Sequence, residues 1–477
     1  VRPIRLASAW VFGIMITTGT PGASSKGEEN ARVERAAGVV SDRQITFAAC
    51  GHILTNINVW SPDGRWIVYD LRSDPEGAVF DGSRIEKVNV DTGQVKVLYA
   101  ARNGARCGVA TYSPAGEKVV FILGPENPAS DWQYGPSRRQ GVIVEEGRCG
   151  TPLNLDACDL TEPFTPGALR GGSHVHVFSG DGRWVSFTYE DQVLSRYAEE
   201  TAEHEVNLRN VGVSVPAGPV RVPKDHPRNH DGEFFSVLVT RTVADPKPGS
   251  DQIKKAFEDG WVGANGYLRA DGTRQKRALA FQGHVVTVRG DTIAEVFLVD
   301  IPDDVTVPGN GPLAGTTVRR PCPPKGTVQR RLTYTANRKY PGIQGPRHWL
   351  RSSPDGSRIA FLMKDDDGVV QLWTISPHGG SPVQVTHNPW NVASAFSWSP
   401  DGRFIAHAMD NSICVTEVAP GRSVRLTPRS ADADGPRPEA CVFSPDGRKI
   451  AYIRTVQTGS ARHNQVFVVS FDGQEAR

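Results

Sequence analysis

One phrase recurs along the chain and limits its fold more than any other feature: a Ser-Pro-Asp-Gly turn running into an apolar strand. It stands as WSPDGRWIVYD (60–70), YSPAGEKVVFI (112–122), FSGDGRWVSFT (178–188), SSPDGSRIAFL (352–362), WSPDGRFIAHA (398–408) and FSPDGRKIAYI (443–453). Each copy is a strand end, a turn built from residues that favour turns, and a second strand of alternating apolar residues. Clean neighbours are 45–52 residues apart, the length of one four-stranded propeller blade. The 49 Gly and 35 Pro suit many short strands joined by tight turns and argue against a helix bundle.

A degenerate copy, Asn229-His230-Asp231-Gly232-Glu233-Phe234-Phe235-Ser236, brings the count to seven. A second signal closes individual units, at Arg331-Leu332-Thr333, Gln384-Val385-Thr386 and Arg425-Leu426-Thr427. The same pattern stands before the first unit, at Gln44-Ile45-Thr46-Phe47, whereas the last unit ends after its third strand at 465–471. An N-terminal strand that completes the C-terminal blade closes the ring and removes free edges. The expected fold is therefore an all-β, seven-bladed β-propeller over 44–477 with one helical insertion at about 243–330. Within that insertion, SDQIKKAFEDGW (250–261) reads as a short helix capped by Ser250 or Asp251, and 302–324 as an irregular surface loop.

Ahead of the ring, Arg2 and Arg5 precede an apolar stretch at 6–18 and the small residues Gly22, Ala23 and Ser24. This is the pattern of a signal peptide over 1–24, followed by a linker at 25–43, and it implies a periplasmic or secreted protein. A leader that is not cleaved would imply a cytoplasmic one. No apolar run is long enough for a membrane span. Of seven Cys, Cys149 and Cys158 bracket a short loop and could pair in an exported protein. Lys plus Arg number 54 against 52 Asp plus Glu, which gives no sign of nucleic-acid binding.

The Ser-Pro-Asp-Gly units resemble the repeats of the TolB-like, PD40 class of propellers. Non-repeat segments go further: GPENP (124–128), TPGALRGGSHVHVFS (165–179), VQRRLTYT (328–335) and RHWLRSSPDG (347–356) resemble the uncharacterised bacterial YidR-like family from about Gln44 to the C-terminus. That resemblance implies the fold and leaves the chemistry open.

In a propeller the innermost strands line a central channel, and here they should run into the Ser-Pro-Asp-Gly turns. Four positions before the turn aromatic stand Asn56, Gly108, His174, Lys224, His348, Ser394 and Glu439; two before it stand Asn58, Ala110, His176, His226, Leu350, Phe396 and Cys441. Polar residues from different blades aimed at one axis make a candidate ligand site. Arg170, Arg347 and Arg437 lie just upstream, near the expected rim. His174 and His176 have the i, i+2 spacing that lets two imidazoles of one strand share an ion, with His348 or Glu439 across the channel.

HVHVFSGDG is similar in kind to the metal-binding strand of oligogalacturonate-lyase propellers. That resemblance implies a metal-assisted uronate lyase, or a protein that binds acidic carbohydrate, with Mn²⁺ or Zn²⁺ on His174, His176 and His348. Lys224 or His226 would be the base, Arg347 or Arg170 the neutraliser of the carboxylate, and Asn56, Asn58, Glu439 and Arg437 further ligand contacts. The alternative is a non-catalytic propeller that binds a protein partner or small ligand at one face; under either reading a monomer is expected. His52 could reach the rim, Asp365, Asp366 and Asp367 could hold calcium, and Trp390 and Tyr340 could stack on sugar, though each suits an ordinary structural role. The chain has neither a GxSxG elbow nor a GxxxxGK[ST] loop, which excludes the hydrolase and nucleotide chemistry tied to them.

Overall fold

The computed structural model describes residues 34–35, 42–74, 77–148, 151–347 and 349–473. Seven sheets, each built on four antiparallel strands, follow one another along the chain. Blade 1 comprises Gly51–Ile53, Trp66–Arg72, Arg84–Asn89 and Val95–Ala100. Blade 2 comprises Cys107–Tyr112, Lys118–Leu123, Gln140–Glu145 and Leu153–Asn154. Blade 3 comprises Gly171–Phe178, Val185–Asp191, Asn210–Val215 and Phe235–Leu238. Blade 4 comprises Ala256–Trp261, Ala278–Val286, Thr292–Asp300 and Val328–Arg331. Blade 5 comprises Arg351–Ser352, Ile359–Lys364, Val370–Ser376 and Gly379–Gln384. Blade 6 comprises Ser397–Trp398, Phe404–Met409, Ser412–Glu417 and Arg422–Arg425. Blade 7 comprises Pro436–Phe443, Lys449–Thr458 and Ala461–Ser470, and its outer strand is the N-terminal Arg43–Gln44.

The closure expected from the sequence is present: Arg43 pairs with Val468 and Gln44 with Phe467. A further short strand, Glu34–Arg35, lies parallel to the outer strand of blade 6. The signal-peptide reading (1–24) and most of the linker lie outside the described residues. So does Cys149, while Cys158 is a buried free thiol.

The recurring turn is held by its own side chains. Ser399 Oγ donates to Asp401 Oδ1 (2.6 Å) and accepts from the Phe404 amide (2.9 Å), while Asp401 Oδ1 accepts from the Arg403 amide (3.0 Å). The same triangle is formed by Ser61, Ser179, Ser353 and Ser444 with their Asp partners. In Ser399's turn, Gly402 has a φ of 71°, where a Cβ would strain the backbone. The closing Thr signal also has a physical basis, since Thr333, Thr386, Thr427 and Thr46 each accept a backbone N–H from the third strand of their blade.

Middle strands such as Phe404–Met409 are buried on both faces because each blade packs on two neighbours. Every one of the seven interfaces has its own apolar cluster, including the one between blades 7 and 1. Indole N–H groups stitch the inner strands together. Trp60 donates to Val442 O (3.0 Å), Trp261 to Val177 O (2.9 Å) and Trp398 to Arg351 O (2.9 Å), each in the preceding blade.

Blade 4 corrects the expected register. Residues 250–261 are not a helix: Ala256–Trp261 is the inner strand of blade 4. Its alternation is broken by a bulge between Phe257 and Gly260, with Glu258 at a φ of 54°, so Ile253, Phe257 and Trp261 recur at a helix-like interval. No Ser-Pro follows Trp261; a small two-stranded sheet, Tyr267–Leu268 with Arg274–Gln275, takes the place of the tight turn. The degenerate copy at 229–236 instead leads into the outer strand of blade 3. The supposed insertion at 243–330 is thus mostly blade 4 itself, and only the loop at 302–324 between its third and fourth strands is irregular.

Candidate functional site

The first strands of successive blades lie side by side around the channel. With Trp261 as the turn aromatic of blade 4, the positions two and four before it are Asp259 and Phe257. They replace His226 and Lys224, which stand on the loop ahead of the outer strand of blade 3. Lys224 is exposed and pairs with Asp231 at 2.5 Å. His226 Nδ1 accepts the Arg228 amide at 3.1 Å, and its ring faces Trp132. Neither residue is placed to act as a base in the channel.

The two His of blade 3 do not share one face. Val175 has a φ of 54°, and the ladder shifts between His174 and Val177, which breaks the two-residue period on which the spacing argument rests. His176 is fully buried toward blade 2, with Nε2 3.0 Å from Ser173 Oγ, which itself donates to Asp156 Oδ2 at 3.1 Å. Asp156 Oδ1 accepts the Gly141 amide at 2.9 Å. Burial lowers the pKa of His176 to about 3 and raises that of Asp156 to about 7. The pKa of His174 is driven well down by burial and then by the charges of Arg139 and Arg209, so both imidazoles are neutral near pH 7.

Deeper in the channel, Arg351 of blade 5 reaches across to Asn56 Oδ1 of blade 1, and the two blades lie on opposite sides of the ring. Arg351 is buried, which lowers its pKa to about 10 against the opposing pull of Asp259 and Glu258. Burial also raises the Asp259 carboxyl to about 6. Beyond this crossing lies a cavity of about 320 Å³ at the turn end, lined by Trp60, Tyr112, Trp398, Phe443 and the prolines of five blades. Asn58 belongs to this cavity, not to the opposite mouth.

The other mouth, where the inner strands start, is rich in charge. Arg347 and Arg437, from blades 5 and 7, approach Glu439 Oε1 at 3.7 and 3.2 Å. Glu439 is 7% exposed, and its second oxygen has no hydrogen-bond partner among the described residues. In blade 3, Arg209 Nε pairs with Glu190 at 2.8 Å. Lys255 and Arg139 are close enough to this pair to be perturbed by it. These cations come from blades 2, 3, 4, 5 and 7. Arg139, Arg209 and Lys255 escape an inner-strand reading because they precede third strands or begin a blade that the repeat did not reveal.

Arg170 is not a rim residue. It is 1% exposed, pairs with Asp191 at 2.8 Å and donates to Thr316 O and Arg319 O, which ties the blade 4 loop to blade 3. His348 lies outside the described residues. His52 is a core residue with Nδ1 3.1 Å from Asn464 O. Asp365 uses its carboxylate on the Asp367 and Val369 amides of its own turn. Trp390 stacks with Arg425, and Tyr340 with Lys339 and Lys364.

Among the described residues, no three His, Cys, Asp or Glu side chains come together as a metal ion would require. Of the expected Mn²⁺ or Zn²⁺ ligands, His176 is engaged by Ser173, so the described residues do not fit such an ion.

The chain shares its fold with an oligogalacturonate lyase solved in complex with manganese (10% identity, 94% of this chain and 98% of that one, TM-score 0.53). A second oligogalacturonate lyase, from Vibrio parahaemolyticus, is similar to the same degree (10% identity, 94% and 98% covered, TM-score 0.51). Residues 106–230 match the family described as "Protein of unknown function (DUF3748)". Over 415 residues the chain is 48% identical to the uncharacterized protein YidR of Escherichia coli (strain K12), covering 86% of this chain and 94% of that protein. Such identity over nearly the whole propeller establishes that the chain belongs to the YidR family.

Proposed function

We propose that the protein binds an acidic carbohydrate of the uronate class at the strand-start mouth of its channel. The observation that carries this reading is the meeting of Arg347 and Arg437, from separate blades, on the single carboxylate of Glu439. Guanidinium groups brought together from two blades suit bidentate pairing with an incoming carboxylate. Arg209 and Lys255 extend the cationic surface across further blades. The shared fold with oligogalacturonate lyases names the ligand class to test first.

The reading stops at binding. β-Elimination needs a base beside the C5 proton, and Lys224 and His226 stand away from the channel. Titration of the protein with oligogalacturonate, alginate and ulvan fragments tests the proposal, together with ultraviolet absorbance of any unsaturated product. Absence of binding to the whole panel contradicts it. Export to the periplasm fits such a ligand, and sequencing the N-terminus of the mature protein tests it: a chain still carrying its first 24 residues contradicts export.

A further inference from the structure

The interface between blades 2 and 3 departs from the other six. Among the described residues its main apolar cluster has five buried residues, with a separate group of four (Ala157, Ala168, Val220 and Val222) packed on Phe235 of blade 3, whereas the other interfaces have clusters of nine to sixteen. A cavity of about 440 Å³ lies there, on the same side as the strand starts. Every residue lining it falls within 106–230, the stretch matched by the family profile.

Three arginines line this cavity: Arg138, Arg139 and Arg228. None of them is ion-paired among the described residues. Arg228 donates to the carbonyls of Glu126 (2.7 Å) and Asn127 (3.0 Å), which fixes its guanidinium on the wall and leaves it electrically uncompensated. Arg138 is held the same way by Asp131 O (2.7 Å) and Gln192 (3.1 Å). Both guanidiniums stack on the ring of Trp132, at 4.9 and 5.6 Å from its centroid. Arg139 Nε is buried without a hydrogen-bond partner among the described residues.

Buried Asp159 accepts from Thr165 Oγ1 (2.7 Å) and Asn229 Nδ2 (3.1 Å), pinning the segment that carries Arg228 against the one after blade 2. Asn154 and buried Asp156 add polar groups to the lining. Burying Arg139 at this interface without an ion pair is costly unless an anion compensates it.

We infer that this interblade cavity is a second binding site, separate from the channel mouth, for a monosaccharide-sized polyol bearing one oxyanion. Its volume is in the range of small-molecule pockets, its cations select an anion, and its amides suit hydroxyl groups. The oxyanion is a carboxylate or a phosphate, and the probes separate the two.

Isothermal titration of the full chain with galacturonate, a hexose monophosphate, glucose and inorganic phosphate tests this. One of the two sugar anions binds, glucose does not, and inorganic phosphate binds more weakly than the sugar anion. Arg228→Ala weakens that binding by about tenfold or more. In an Arg347→Ala, Arg437→Ala background, which removes uronate binding at the channel mouth, the sugar anion still binds at one site per chain, and Arg228→Ala in that background weakens it. Arg138→Gln provides a second reading should Arg228→Ala lose its native circular dichroism. The inference is overturned if no probe binds, if phosphate alone binds as tightly as the sugar anion, or if folded cavity variants bind like the parent.

Discussion

Replacing Asp156 by Asn should remove a specific part of the protein's pH dependence. The carboxyl is fully buried between blades 2 and 3, and desolvation raises its pKa from 3.8 to about 7, against the bonds from Gly141 and Ser173 that favour the ionised form. The folded protein therefore holds this proton more tightly than the unfolded chain. Stability from this group is full below about pH 4, falls as pH rises toward 7, and is level above that. A shift of about three units corresponds to roughly 4 kcal/mol between these limits, of which roughly 2–3 kcal/mol is lost between about pH 5 and pH 8. Asn keeps the shape: its oxygen can still accept the Gly141 amide, while its NH₂ donates to Ser173 Oγ and the hydroxyl turns toward His176. Urea unfolding followed by tryptophan fluorescence at several pH values measures both proteins. The buried His residues weaken both proteins alike in acid, so the difference between the two isolates Asp156. Asp156→Asn should gain stability relative to wild type as pH rises from 5 to 8. Parallel pH profiles would refute a protonated carboxyl at this interface.

Other substitutions test the ring. Arg351→Met removes the guanidinium that spans the channel, its bond to Asn56 and its attraction for the Asp259 carboxylate, so stability should fall by about 1–3 kcal/mol near neutral pH. The deficit should shrink in acid as Asp259, whose folded pKa is about 6, takes up a proton; denaturant titrations at pH 5 and 8 check both points. Trp60→Phe deletes the indole bond to Val442 across the closure and should cost about 1–3 kcal/mol, read as a lower urea midpoint. Ser399→Ala removes one donor and one acceptor from the turn of blade 6 and should cost about 1–3 kcal/mol in the same assay, without changing the circular dichroism.

Six of the blades are legible in the sequence because their turns are local devices: Ser and Gly sit at fixed offsets, and in five of the six an Asp binds the Ser, Ala115 standing in its place in blade 2. The closing strand is legible for a similar reason, since Thr46 has the same role toward Val466 that Thr386 has toward Leu372. Blade 4 is hidden because a bulge at Glu258 breaks its alternation and a small sheet replaces its turn. Without that bulge, the repeat spacing puts Lys224 and His226 in the channel and leaves Asp259 out of it. Bulges at Val109 and Val175 do the same to pairwise spacing within a strand, so His174 and His176 part company. Arg351 was open to discovery: it stands one residue before the turn position, where other blades have Val59, Thr111, Val177, Ser397 and Val442. The cavity between blades 2 and 3 was not, because its arginines come from connecting loops whose paths no strand period encodes.

The central functional claim is that Arg347 and Arg437 make the channel mouth a receptor for uronate carboxylates. Titrating oligogalacturonate into wild type and into the Arg347→Ala, Arg437→Ala pair, at low and high salt, tests it most directly. The account predicts saturable binding by wild type that weakens with salt and falls by about tenfold or more in the pair. Equal affinity in the two proteins, or no binding by wild type at low salt, would contradict it.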